Sequence, residues 1–124
     1  MKKAKSGIDI SLLSEEERNQ YYSKKLASYL GFASKAGKIS AGTNTCIFTM
    51  QKGKARLLII AEDLAENGRE KLIFSANQNG VEYRVFGQAE DLAHYTGKYG
   101  AGVFAVTDDN FAKVIVETID NTSK

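Results

Sequence analysis

The spacing of apolar residues in the first third of the chain predicts a long helix. In LLSEEERNQYYSKKLASYLGFASKAGK the apolar positions recur at i, i+3, i+4 and i+7, which places four residues on one face: Leu26, Tyr29, Leu30 and Ala33. Ser14 followed by Glu17 is the pattern of a capping box, so the helix can begin at Ser14, although a start nearer Ser23 fits the periodicity equally well. Gly37 is expected to end the helix in a left-handed conformation.

After Gly37, short apolar runs alternate with amphipathic stretches. The runs KISAG, ARLLIIA, VEYRVF and GVFAVTD predict strands, and the second and fourth are apolar enough to be buried on both faces. Helices are predicted from Thr43 to about Lys52, from about Ala65 to Gln78, over QAEDLAHYTG, and after a cap at Asp108 or Asp109. The alternation predicts an α/β fold with a small sheet of about four strands and helices on both sides.

The length of the chain fits one domain with a real core. With 124 residues, we expect a single domain over residues 23–121. A loose arm (residues 1–11) and the start of the first helix (to residue 22) precede it, and residues 122–124 form a tail. No apolar run approaches the roughly 20 residues that span a bilayer, so no membrane partner is expected. A single cysteine excludes an internal disulfide and favours the cytoplasm.

Charge is distributed unevenly between the two halves of the chain. Residues 1–56 carry 11 Lys and Arg against 4 Asp and Glu, a balance of +7. Residues 57–124 carry 6 against 11, a balance of −5, so the net charge is only +2. Clustered Lys and Arg can form a surface that binds a polyanion, but a solvated basic tail explains the same asymmetry.

No catalytic or cofactor-binding constellation emerges from the residues. GFASKAGK lacks the glycine spacing of a phosphate-binding loop, and GKYGAG precedes a strand instead of following one, so it is a flexible loop or a binding loop without the dinucleotide geometry. One cysteine and one histidine do not make a zinc site. Cys46 is expected in the core, although the start of its helix could lower its pKa. Glu62 and Asp63 are adjacent and diverge, so we expect no enzyme, no cofactor and no metal.

Two acidic stretches follow the buried strands. AED (residues 61–63) comes after ARLLIIA, and VTD (residues 106–108) ends GVFAVTD. Ligands of open α/β sheets usually bind beyond the carboxyl ends of strands, so both stretches are expected at such positions. VTD is also explained fully as a helix cap.

The order of these elements resembles the kink-turn RNA-binding ribosomal-protein family (the archaeal L-seven-Ae and eukaryotic L-thirty type), including its bacterial ribosomal-protein-like members. The resemblance covers roughly residues 24–118 and rests on AGKISAGTNT, KGKARLLIIAEDLAEN and the late Gly-rich loop. It implies a three-layer α/β/α sandwich with a mixed sheet. It also implies a non-enzymatic protein that binds structured RNA, kink-turn or rRNA-like, through three adjacent loops, with the ribosome as a candidate partner.

The resemblance also implies which residues contact RNA. The family's turn into the second helix has glycine and asparagine where Gly42 and Asn44 stand, but glutamate where this chain has Thr45 and lysine where it has Phe48. Losing such a charged bond to a base edge costs about 1.5–3 kcal/mol, which weakens guanine-specific binding. The implied RNA-binding set is Lys35, Lys38, Gly42, Thr43, Asn44, Thr45, Lys52, Glu62, Asp63, Leu64, Ala65, Lys98, Tyr99, Gly100 and Ala101.

Different members of this set carry different expected roles. Lys35, Lys38 and Lys52, together with Lys54 and Arg56, are expected to contact phosphates, whereas Lys98 belongs to the third, largely apolar RNA-contacting loop. Asn44 is either a reader of a base edge or a turn and cap residue. Asp63 orders the loop or caps the helix that follows it, and Tyr99 can stack on a base.

Two alternatives remain open at this point. The same fold can serve as a protein-interaction module, which an exposed Phe48 would favour. The fold also resembles the substrate-binding domain of some RNA methyltransferases. Because the chain contains no cofactor domain of its own, any such catalysis would need a partner protein.

Overall fold

The computed structural model describes residues 10–122, in which five helices surround one sheet. After a 3₁₀ turn at Ile10–Leu12, the elements are α1 (Glu15–Lys35), β1 (Ile39–Ala41), α2 (Thr43–Gln51), β2 (Leu57–Ile60), α3 (Glu66–Gln78), β3 (Tyr83–Val85), α4 (Ala89–Thr96), β4 (Val103–Val106) and α5 (Asp109–Thr122). The predicted alternation of strands and helices is confirmed. Most of the arm expected at residues 1–11 lies outside the described residues.

Local signals in the sequence fix both ends of α1. The Ser14 hydroxyl accepts a bond from the Glu17 N–H at 3.1 Å, and the Glu17 carboxylate accepts one from the Ser14 N–H at 2.9 Å. This reciprocal capping box starts the helix at Ser14 rather than near Ser23. At the other end Gly37 adopts a φ of 74°, as expected for the residue that ends a helix.

The sheet is mixed and has the strand order β1-β4-β2-β3. β4 runs antiparallel to both β1 and β2, whereas β3 runs parallel to β2 and lies at the edge. All four residues of β2 and all four of β4 are buried, because these central strands are covered on both faces. The three-layer sandwich implied by the resemblance is confirmed.

Alternate residues of the central strands feed two separate cores. Leu57 and Ile59 face the layer of α1, α4 and α5, where they pack with Leu30 and Ile115. Leu58 and Ile60 face α2 and α3 and belong to a second cluster: Cys46, Met50, Leu72 and Ala76. Two cores hold the sheet from both sides, so both ends of the strands are fixed relative to each other.

The direction of β4 places AED and VTD at opposite ends of the sheet. AED follows β2 and VTD follows β4, and both were expected beyond strand carboxyl ends on the same principle. Because β4 is antiparallel to β2, the carboxyl ends of these two strands lie at opposite ends of the sheet. Asp108 caps α5, accepting a bond from the Phe111 N–H at 2.9 Å, so VTD does not join AED.

Candidate nucleic-acid interface

Four connections meet at one end of the sheet. The Gly42 N–H donates to the Val103 carbonyl at 3.0 Å, which holds the start of α2 beside the start of β4. The Ala61 N–H donates to the Gly102 carbonyl at 2.9 Å, and the Glu62 N–H donates to the Gly87 carbonyl at 2.7 Å. We call residues 42–45, 61–65, 87–89 and 97–102 the loop end. Backbone bonds fix these segments at the same end of the sheet, regardless of their separation in sequence.

The start of α2 presents backbone donors at the loop end. Gly42 precedes the helix with a φ of 100° and provides no side-chain cap. The first helix bond runs from the Cys46 N–H to the Gly42 carbonyl, so the N–H groups of residues 43–45 have no helical acceptor. Asn44 and Thr45 are exposed beside them. Asn44 is the second residue of α2 and not its cap, which leaves its amide available to a ligand.

Asp63 joins two loops instead of capping the helix that follows it. Its Oδ1 accepts a bond from the Ala89 N–H at 2.9 Å, at the start of α4, whereas α3 begins without a side-chain cap. Beside it the Gln88 amide donates to Glu62 Oε1 at 3.3 Å. The prediction that Asp63 caps the following helix is therefore wrong. The contacts support the other predicted role, in which Asp63 orders the loop. The segment around Gln88 was not predicted, because its approach depends on the pairing of β2 with β3.

Leu64 and the Gly-rich loop (residues 97–102) flank an open depression. The depression measures about 490 Å³ and lies between Asp63, Leu64 and Ala65 on one side and residues 99–102 on the other, with Ala93 of α4 also lining it. A Cβ atom at Gly102 would lie 2.9 Å from Leu64 Cδ1, so only glycine allows this close approach without a shift. The depression has the size of a small-ligand site and a largely apolar lining.

Tyr99 stands at the rim of the depression. The side chain is 70% exposed, and its hydroxyl lies 3.4 Å from Nδ1 of His94, on α4. Gly100 has a φ of 83°, which permits the tight loop that carries Tyr99. Lys98 is half-buried, and Gly100 is exposed beside it. An exposed aromatic ring on a loop is suited to stacking on an unpaired base.

Three of the four predicted lysines lie elsewhere, and only Lys98 belongs to the loop end. The Thr107 N–H donates to the Lys38 carbonyl at 2.9 Å and the Arg56 N–H to the Val106 carbonyl at 2.7 Å, which places both at the far end of β4. Lys52 follows the nine residues of α2 and is roughly 13 Å from Thr43 along the helix axis. We call the cationic group there the basic end: Lys35, Lys38, Lys52, Lys54 and Arg56. The structure therefore separates Lys35, Lys38 and Lys52 from the loops of the predicted set.

One side chain links the two ends. Phe48 is 59% exposed on α2, and the Lys52 ammonium lies 5.3 Å from the centre of its ring. Phe48 is therefore not a core residue. Of the basic end, Arg56 is engaged in an ion pair with Asp109 at 3.0 Å.

Cys46 belongs to the core beneath the start of α2. The side chain is fully buried, and its thiol donates to the Ser40 carbonyl at 3.5 Å. Burial raises the pKa of the Cys46 thiol to about 12, so the helix start does not activate it. Within residues 10–122, no three His, Cys, Asp or Glu side chains are grouped so that they could hold a metal ion. In the same range no helix is long and apolar enough to cross a membrane.

Comparison with known proteins agrees with this architecture. The sequence profile of the ribosomal protein L7Ae/L30e/S12e/Gadd45 family matches residues 24–116. The chain belongs to this family. The match begins inside α1 and includes both the loop end and the basic end.

Two relatives within the family carry the same descriptive name. RNA-binding protein YlxQ of Bacillus subtilis is 30% identical over 91 residues, covering 73% of this chain and 91% of that protein. RNA-binding protein YlxQ of Enterococcus faecium is 29% identical over 103 residues, covering 82% of this chain and 98% of that protein.

Solved structures share the fold. A protein of unknown function from Bacillus halodurans superposes with a TM-score of 0.74 at 26% identity, covering 77% of this chain and 97% of its own. The 15.5 kD RNA binding protein of Giardia lamblia has a TM-score of 0.66 at 22% identity, covering 83% of this chain and 88% of its own. At that identity the second likeness shows the fold alone. Both superpositions agree with the α/β fold described above.

Proposed function

We propose that this family member is a non-enzymatic, cytoplasmic RNA-binding protein whose loop end recognises a kink-turn or a similarly bent RNA. The proposal rests on the gathering of four connections at one end of the sheet, three of which line one open depression. Sequence-specific proteins usually read RNA where bases are unstacked and splayed out, and a sharp bend exposes such bases. The names of both YlxQ relatives, each an RNA-binding protein, support the choice of RNA.

At the loop end, short-range contacts read the RNA. The Asn44 amide offers a donor and an acceptor to a base edge, and the free N–H groups of residues 43–45 donate to a phosphate or carbonyl oxygen. Leu64 and Ala65 contact a splayed nucleotide in the depression, where Tyr99 provides a stacking surface. Thr45 has only a short hydroxyl, so shape contributes more than guanine recognition.

At the basic end, phosphate contacts provide affinity without sequence preference. Lys35, Lys38 and Lys52 are exposed, and no carboxylate of residues 10–122 forms a salt bridge with them. Each phosphate that they neutralise releases counterions, which makes binding depend on salt. A bound RNA would run from the loop end along α2 to reach these cations. Ribosomal RNA is a candidate for such a partner.

Titration calorimetry at moderate salt tests the proposal directly. We would compare a kink-turn RNA with a straight duplex of matched length and composition. Tighter binding of the bent RNA by about ten-fold or more, roughly 1.4 kcal/mol, is expected. Equal weak binding of both RNAs, or none, would contradict recognition of the bend.

A protein-interaction module is the second candidate, and the exposure of Phe48 is the observation that favours it. The neighbours of Phe48 on the same helix face weaken this candidate, because Asn44, Gln51 and Lys52 are polar and exposed. A single exposed ring surrounded by polar groups is not the contiguous apolar patch of a protein interface. The candidate gains weight if the calorimetric titrations detect no RNA binding.

A further inference from the structure

Phe48 belongs to an exposed stripe that runs the length of α2. Asn44, Phe48 and Lys52 are spaced four residues apart, and Thr45 lies three residues before Phe48, so all four share one helix face. All four are exposed, whereas Cys46, Thr49 and Met50 on the opposite face are buried. The stripe leads from the loop end to the basic end. It therefore follows the route that an RNA contacting both ends would take.

The ring of Phe48 is accompanied by positive charge. The Lys52 ammonium lies 5.3 Å from the ring centre, within the range of a cation–π contact. Among the described residues, no carboxylate lies within ion-pair distance of Lys52. Lys54 and Arg56 follow within four positions. An aromatic surface beside several cations, of which Arg56 alone is ion-paired among the described residues, complements a partner that carries flat rings and negative charge together.

We propose that Phe48 and Lys52 form a stacking platform for an unpaired base of the bound RNA, with Lys52 contacting the phosphate next to that base. The platform rests on the RNA binding proposed above and adds to it a position and a mode of contact. The ring is 59% exposed, so a base can lie against its open surface while the ammonium remains within reach of the backbone. Aromatic rings combined with cations are the usual means of holding single-stranded nucleic acid.

The neighbouring helix provides a matched comparison. Phe74 of α3 is 66% exposed, but the residues one turn further on are Asn77 and Gln78, and no cation–π contact involves its ring in residues 10–122. Phe74 therefore has the same chemistry and a similar exposure, but the cation on its helix face, Lys71 three residues before it, makes no cation–π contact with the ring. It serves as a control for non-specific contact between RNA and an exposed ring.

Fluorescence can test stacking at Phe48 because the chain contains no tryptophan. We would prepare Phe48→Trp and Phe74→Trp and titrate each with a kink-turn RNA carrying a terminal fluorescein. Anisotropy of the fluorescein reports binding, and the emission of the introduced indole reports stacking. Strong quenching is expected only in Phe48→Trp, and a straight duplex without unpaired bases should quench neither variant.

Two results would overturn the platform, and they have different meanings. RNA binding by anisotropy without selective quenching in Phe48→Trp would reject the platform and leave the proposed RNA binding intact. No change in anisotropy with either variant or with the unaltered chain would reject both.

Affinity provides a second, independent test. Phe48→Ala should weaken binding of the kink-turn RNA by about 5- to 100-fold, the range for loss of one stacked base, whereas Phe48→Tyr should retain it. Phe74→Ala should leave the affinity unchanged. Lys52→Ala should lower the slope of log affinity against log salt by about 0.7–0.9, the contribution of one phosphate. Equal affinities of Phe48→Ala and Phe48→Tyr would contradict stacking, and thermal unfolding of each variant checks that the fold is kept.

Discussion

The two ends of the sheet are built differently. At the loop end the charged residues are Glu62, Asp63 and Lys98, and backbone bonds hold the loops together. At the basic end four cations lie on short connections and Lys35 ends α1, and only Arg56 has a carboxylate partner among the described residues. Fixed short-range contacts discriminate between RNA shapes, whereas screened long-range charges attract any phosphate backbone. Selectivity and affinity are therefore expected to be separable by mutation.

The largest expected effect comes from two helix caps at opposite ends of the sheet. Asp63 caps α4 at the loop end and Asp108 caps α5 at the far end, each by a 2.9 Å bond to a backbone N–H. Replacing either by alanine should cost about 0.5–2 kcal/mol of stability, as for other caps. Only Asp63→Ala should also reduce the preference for bent over straight RNA, by about ten-fold in calorimetry. Equal loss of preference in both variants would show that the loop end is not the reading surface.

A smaller effect is expected from neutralising the basic end. Lys35→Ala with Lys38→Ala removes two phosphate contacts outside the proposed platform, which should lower the salt slope of binding by about 1.4–1.8. Bent and straight RNA should weaken alike, so their ratio should not change. Lys71→Ala with Lys113→Ala, two exposed lysines on α3 and α5, is the control. An unchanged slope in the first variant would argue against the phosphate contacts.

Gly102→Ala changes one contact at the loop end without changing the charge of the protein, and Gly68→Ala is its control. A Cβ atom at Gly102 would lie 2.9 Å from Leu64 Cδ1, whereas one at Gly68 would lie 3.8 Å from Leu64 Cδ2. Gly102→Ala should displace Leu64 and weaken binding of the bent RNA a few-fold at nearly unchanged stability. Gly68→Ala should leave binding unaltered and stabilise α3 by about 0.5–1 kcal/mol, because alanine favours a helix interior. Thermal unfolding and RNA titration separate the two outcomes, and a loss of affinity in Gly68→Ala alone would contradict this assignment.

Local signals explain why most elements could be predicted from the sequence. The capping box at Ser14, the left-handed glycine at residue 37 and the fully apolar runs that became β2 and β4 each act over a few residues. The resemblance to the kink-turn family supplied the arrangement of layers, which local patterns do not contain. The family membership and the observed fold confirm this predicted arrangement of layers.

Long-range geometry explains what the sequence could not provide. The antiparallel direction of β4, which moves VTD away from AED, depends on pairing between strands more than 40 residues apart. The partner of Asp63 is Ala89, 26 residues later, and no local pattern marks that bond. The lysines near residues 35 and 52 are close in sequence to the start of α2, but β1 and α2 carry them to the far end of the sheet. The roles of the predicted RNA-binding residues remain predictions.

The smallest effect should come from the ion pair that neutralises part of the basic end. Arg56 and Asp109 lie 3.0 Å apart, but their side chains are 44% and 81% exposed. Solvent screens such a pair, so Asp109→Asn should change stability by less than about 1 kcal/mol. Releasing the guanidinium should still add a phosphate contact, raising the salt slope by up to about 0.7–0.9 and strengthening binding of bent and straight RNA equally. A gain in affinity for the bent RNA alone would contradict the separation of the two ends. In that case a cation far from the loops would contribute to the discrimination between bent and straight RNA.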